Sequence, residues 1–157
     1  MSELLIRGIL MGLLATAAMD VWAFLLNRLA GQPLPNWGMV GRWVVNIPRG
    51  TVFHRSIADA PAVTQEVPIG WVFHYAVGLA YGVFFAVFMG AAWFSAPTFW
   101  PAWVFSILMV GFGWFLLQPG MGLGCAASKT PNPTKVRALN LIAHTVFAIG
   151  LWIGAVV

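Results

Sequence analysis

Asp20, His74 and His144 are ionisable side chains set inside long apolar runs. A charge at the centre of a bilayer helix costs from about 2.5 to more than 10 kcal/mol, so such residues face a protein interior or a polar pathway. A carboxylate and two imidazoles together can hold a proton, pass it on, or ligate a divalent metal. No His-x-x-x-His or Glu-x-x-His pair occurs, so no local spacing singles out a metal, and the metal candidates are these three residues themselves. Around them lie further polar groups: Thr16 a turn before Asp20, Asn140 a turn before His144, and Gln118 at the end of an apolar run. Glu66 and His54 belong to the same expected edge, and Arg42 and Arg137 carry charge suited to guarding its mouth.

The elements that position these groups follow from composition. Hydrophobic residues make up 61% of the 157 and charged ones 8%, and the mean hydropathy is +0.86. A soluble domain carries roughly 25% charged residues, so this chain reads as a polytopic membrane protein of the all-α class. The formal net charge of +4 comes from few, scattered groups. A nucleic-acid footprint needs Lys and Arg clustered on a solvated face, and none is present. Cys125 is the single cysteine, which excludes an intrachain disulfide and reads as inert packing.

Crossing a ~30 Å hydrocarbon core takes about 20 apolar residues. Four spans meet this, at about 4–29, 69–94, 101–118 and 134–157, within one membrane domain covering 1–157. Pro68 suits the first turn of the second helix, Pro119-Gly120 ends the third, and Thr134 after Pro131 and Pro133 is the expected N-cap of the fourth. Trp93, Trp100 and Trp103 flank the second connection as an interfacial belt. Arg7 and Ala15-Thr16-Ala17-Ala18 also resemble a secretory signal with its cleavage site. The apolar run resumes after Asp20 as Val21-Trp22-Ala23-Phe24-Leu25-Leu26, too long for a removed segment, so a retained span is expected.

The loop 30–68 is the one sizeable connection. Within it Trp37, Val40, Trp43, Val44 and Ile47 fall at helical spacing, with Arg42 and Asn46 off the stripe. A short amphipathic helix along the cytoplasmic interface or a loop tucked down by its tryptophans both satisfy this pattern. The first and third connections, with the adjoining helix end, hold Arg28, Arg42, Arg49, Arg55, Lys129, Lys135 and Arg137, against Arg7 alone on the other side. Positive charge stays inside, so both termini are expected to be periplasmic and the membrane to be the bacterial inner one.

Helical rise puts Asp20 and His144 roughly 5 Å and His74 roughly 11 Å from their helix midpoints, all toward the cytoplasm. Residues four apart share a face. Gly8, Gly12, Thr16 and Asp20 form one row, Gly70, His74, Gly78, Gly82, Ala86 and Gly90 another, and Asn140, His144 and Ala148 a third. Small residues let helix backbones approach in lipid, so the first, second and fourth spans are expected to meet and turn the polar groups inward.

The chain also resembles a family of small bacterial membrane proteins known as domain of unknown function 2938. The matching residues are Ala18-Met19-Asp20, Gly41-Arg42-Trp43, Arg49-Gly50 through His54, Gly70-Trp71 and His74-Tyr75. They continue with Leu117-Gln118-Pro119-Gly120-Met121-Gly122, Thr130-Pro131 and His144, with no departure from the pattern. The resemblance implies a four-helix inner-membrane protein and supplies no activity and no catalytic residue.

Three functions fit these residues. The first is binding or transport of a proton, metal ion or small anionic solute in a cavity open to the cytoplasm, with Asp20 protonatable, His74 and His144 its partners, and a homodimer more comfortable than a monomer. The second is a redox component with His74 and His144 as axial ligands to haem. Their levels differ by roughly 6 Å along the helices, which weakens a shared iron. The third is a non-catalytic assembly or accessory subunit whose polar residues set helix register. An enzyme finds little support, since Ser106 and Ser128 have no patterned partners.

Overall fold

The computed structural model describes residues 2–157. Among them every regular element is helical, and five helices carry the fold: α1 Ser2–Ala30, α2 Trp37–Asn46, α3 Glu66–Trp93, α4 Phe99–Gly120 and α5 Pro133–Val156. Four of them, with 29, 28, 22 and 24 residues, are long and apolar enough to cross a membrane. Even α4 reaches about 33 Å at the helical rise. Large apolar side chains stand exposed along these helices, among them Ile6, Phe88, Leu108 and Ile153. An outer surface of this kind is what lipid contact requires.

The helices begin one to three residues before the apolar runs. Glu3 and Glu66 enter the first turns of α1 and α3, where the helix dipole favours an acidic side chain. At α5 the expected cap is displaced: Asn132, not Thr134, holds it, its Oδ1 accepting from Lys135 N at 3.0 Å. Pro133 then takes the first helical position, where its missing N–H costs nothing. The third span also runs on past Gln118. It contains a π-helical turn at Gly113–Leu117, closed by Gln118 N donating to Gly113 O, and continues through Gly120. Pro119 supplies the reason. It has no N–H for the carbonyl of Phe115 and its ring crowds that carbonyl, so the preceding turn widens rather than stops.

The chain divides into two compact units. The first comprises the chain up to Leu34, His74–Leu108 and Ile142–Val157. Here α1 meets α3 without intervening side chains. A Cβ on Gly12 would overlap the Gly78 carbonyl oxygen, and one on Gly8 would lie 2.6 Å from Val83 Cα. On α5, a Cβ on Gly150 would lie 2.5 Å from Ala15 Cα. The rows on α1 and α3 thus meet as their spacing predicts, while α5 approaches α1 through Gly150, a residue outside the row of Asn140, His144 and Ala148. Gly90 is the exception within its row: its φ of 69° interrupts α3, a conformation glycine takes without penalty. Phe85, 1% exposed, packs on Phe105 and Trp93, while Tyr81 sets its ring edge-on against Phe105 and Phe147. Trp103 is not simply a belt residue, because its indole N–H donates to Thr145 Oγ1 at 3.2 Å.

The second unit comprises Pro35–Phe73 and Met109–Leu141. The tryptophan-rich loop does form a helix, α2, capped by Asn36 Oδ1, which accepts from Met39 N. It is tucked as well as helical. Val40 and Trp43 are 7% and 3% exposed, and Trp43 donates its indole N–H to Val52 O at 2.8 Å. Gly41 and Gly70 fix the crossing of α2 with the start of α3: a Cβ on Gly41 would overlap Glu66 O, and one on Gly70 would overlap Trp37 O. The off-stripe Arg42 is the unit's clamp. It meets both Glu66 carboxylate oxygens at 2.9 Å and donates to Ile57 O at 3.1 Å and Ala60 O at 2.7 Å.

Close backbone approach in the first unit makes a clear prediction. Gly12→Ala should destabilise the fold by about 1–3 kcal/mol, the range for overpacking a filled contact. Gly113→Ala, whose Cβ would meet nothing within 4 Å, should leave the thermal midpoint in detergent unchanged or slightly raised. Equal midpoints for the two variants would contradict the packing described.

Candidate functional site

The contact between α1 and α3 runs antiparallel. Gly8 faces Gly82–Val83, Gly12 faces Gly78, and Asp20, two turns further along α1, faces His74, one turn back along α3. Thr16, 1% exposed, lies between them. Its hydroxyl donates to Gly12 O within its own helix at 2.7 Å, and its Oγ1 is the atom that a Cβ on Gly78 would strike. Thr16 is therefore a spacer with its hydrogen bond met, not a member of the polar cluster. The glycine rows carry α1 and α3 so close that the next polar pair along the stripe must touch.

Both oxygens of the Asp20 carboxylate are engaged. His74 Nε2 lies 3.0 Å from Oδ1, and the Tyr75 hydroxyl donates to Oδ2 at 2.8 Å. The side chains of His74 and Asp20 are 13% and 24% exposed, so the pair is shielded without being sealed. His74 and Tyr75 are consecutive on α3 and their rings stand edge to face, 5.5 Å between centroids, straddling one carboxylate. With Asp20 ionised, Nε2 carries the proton and donates; with Asp20 protonated, Nε2 can accept. One proton can therefore sit on either partner with no change in heavy-atom positions. This is proton-exchange geometry, and its bonds to a charged oxygen are of the stronger kind.

His74 and Tyr75 are the partners that Asp20 meets across the contact of α1 with α3. Helical rise gives a residue's level but not the direction of its side chain. His144 is half-buried on α5 in the same unit. Sequence reasoning missed Tyr75. The signal was present, because a phenol in an apolar run needs a partner for its hydroxyl when it is shielded from water. Among the described residues, no group of three or more His, Cys, Asp or Glu side chains is arranged to hold a metal ion. His74 Nε2 faces a carboxylate, so an axial role toward haem iron would require that bond to break.

The remaining expected site residues fall in the second unit, in two groups. Arg42 and Glu66 clamp the loop as described, and hydrogen bonding to Glu66 holds the Arg42 guanidinium pKa above its ordinary value. His54 lies with Nδ1 3.1 Å from Gly120 O, an oxygen that also accepts from the His54 backbone N–H at 2.9 Å. Arg137 Nε donates to Ala126 O at 2.7 Å. These contacts fasten loops to helices.

Gln118 and Asn140 form the other group, with Trp114. The Asn140 Oδ1 accepts from Trp114 Nε1 at 3.0 Å and from Gln118 Nε2 at 2.9 Å. Gln118 is 8% exposed, and its Oε1 is buried with no hydrogen-bond partner among the described residues. An acceptor left unmet in this way costs about 1–3 kcal/mol. Trp114 and Gln118, four residues apart on α4, reach this one oxygen from around the π-helical turn, a feature often found at functional sites.

No curated protein and no solved structure matches the chain. A family model described as "Protein of unknown function (DUF2938)" matches residues 9–157, which include α2 to α5, all but the first turns of α1, and every site residue described above. The chain accordingly belongs to the DUF2938 family, whose function is unknown.

Proposed function

We propose that the chain is a multi-pass membrane protein that binds a proton at Asp20 and exchanges it with His74, so that protonation drives the binding or movement of a small ion or solute. The observation behind this reading is a carboxylate within an apolar helix, with an imidazole on one oxygen and a phenol on the other. Transfer of a proton from the carboxyl to the imidazole turns a neutral pair into an ion pair, a large local change in charge produced without rearranging the helices. The Tyr75 hydroxyl holds the other carboxylate oxygen in place by donating to it at 2.8 Å. His144 serves in this reading as a further proton acceptor on the same unit. The absence of a three-ligand group among the described residues favours the proton over a metal ion.

The membrane in this reading is the bacterial cytoplasmic membrane, with both termini periplasmic. The cationic loops support that orientation, since they set seven basic residues against Arg7. Arg7 is also partly offset by its ion pair with Glu3 at 3.1 Å.

Two measurements test these proposals. Proteoliposomes holding a pH-sensitive dye, driven by a potassium diffusion potential, should acidify faster than empty vesicles. Asp20→Asn should return the rate to background, and Tyr75→Phe should lower it by roughly tenfold, the scale of one lost hydrogen bond to a charged group. Rates for Asp20→Asn equal to the unmodified chain would remove the carboxylate from the function. For orientation, a reporter active only in the periplasm, fused after Val157, should be active. A silent fusion alongside an active cytoplasmic reporter would reverse the topology.

A further inference from the structure

We propose that Gln118 Oε1 is the recognition atom of a binding site built within the second unit, and that its ligand is a neutral amphiphile with a hydroxyl on an aromatic head, a phenol or hydroquinone. The amide orientations are forced. The Trp114 indole can only donate, so the Asn140 atom it meets at 3.0 Å is the oxygen. Gln118, 2.9 Å from that same oxygen, must present its nitrogen to it. Turning the Gln118 amide over would set two carbonyl oxygens against each other. Its Oε1 is therefore held facing away from Asn140, and it is buried and unmet. Three side chains from α4 and α5 fix the direction of one acceptor that none of them uses.

The chemistry of the set selects the ligand. An indole and two carboxamides carry no charge, and a neutral donor avoids burying a lone ion beside them. The donor has to be an O–H or N–H, because the unmet atom only accepts. An apolar body suits the segment that presents the acceptor, Phe112-Gly113-Trp114-Phe115-Leu116-Leu117, in which Phe115 is 65% and Leu116 41% exposed. An aromatic head suits the Trp114 ring, which stands at the site and can take an offset or edge-on partner. Trp114 and Gln118, four residues apart, share one face of α4 and so reach Asn140 together.

The test compares 4-pentylphenol with 4-pentylanisole, which keeps the size and removes the O–H donor. In a chain carrying Gln32→Asn and Gln65→Asn, Gln118 is the only glutamine, and a carbon-13 label reports its side-chain carbonyl by infrared spectroscopy. Saturable addition of the phenol should move that band to lower frequency, and the anisole should leave it in place. The phenol should also bind on the order of tenfold more tightly than the anisole to the unmodified chain. In Gln118→Met that preference should vanish. An unmoved band up to the solubility limit of the phenol, or equal shifts with both compounds, would overturn the proposal. Equal shifts would mean that the band responds to something other than an O–H donor.

Discussion

A carboxylate carried on a long apolar helix must find hydrogen-bond donors within the protein, and in the first unit it finds them because two helices touch backbone to backbone. Gly8 and Gly12 on α1 meet Gly82 and Gly78 on α3 with no room for a Cβ. That spacing brings Asp20 within 3.0 Å of His74, a residue 54 positions later in the chain. A wider helix pair would leave the carboxylate without the imidazole and phenol that now meet it, a costly state for a shielded charged group. The apolar contacts and the polar cluster are thus one arrangement, in which the glycines set the distance and the aspartate, histidine and tyrosine exploit it. Van der Waals packing and hydrogen bonds are the forces that hold helices together once lipid removes any hydrophobic gain.

Polar groups elsewhere in the molecule are satisfied by equally local means. Arg42 binds Glu66 and the carbonyls of Ile57 and Ala60, so its charge is neutralised and its donors are distributed along the loop. Trp43 fixes the chain at Val52, and Arg137 fixes it at Ala126. Gln118 departs from the pattern, with one amide atom bonded and the other not, as do the buried indole N–H groups of Trp22 and Trp93; Gln118 Oε1 is the one acceptor among the three. Buried carbonyls are seldom left in that state, which is why this one atom carries more information than the many completed bonds around it.

Much of the architecture was legible in the residues. Four apolar runs became four long helices, and the rows of Gly8, Gly12, Gly78 and Gly82 became a helix contact, because small residues at fourfold spacing have few other uses. Asp20 and His74 were legible as a pair, being costly groups at comparable depth. His144 was placed with them by depth alone, which follows from counting residues, while side-chain direction depends on how each helix is rotated. Tyr75 escaped notice because its ring counts as apolar and its hydroxyl does not. The Arg42–Glu66 pair joins residues 24 apart through an irregular loop, a path that no periodicity encodes. Pro119-Gly120 does end the third span, and the π-helical turn just before Pro119 is the feature that the residues did not announce.

The central claim is that Asp20 and His74 share a hydrogen bond. Solid-state NMR in lipid can measure it through the dipolar coupling between the Asp20 side-chain carboxyl carbon and His74 Nε2. Asp59→Asn leaves Asp20 as the only aspartate to carry the label. Nε2 within hydrogen-bond reach of a carboxylate oxygen predicts a clear coupling, and one that Gly12→Val, by forcing α1 from α3, removes. No detectable coupling in the otherwise unmodified chain would contradict the account.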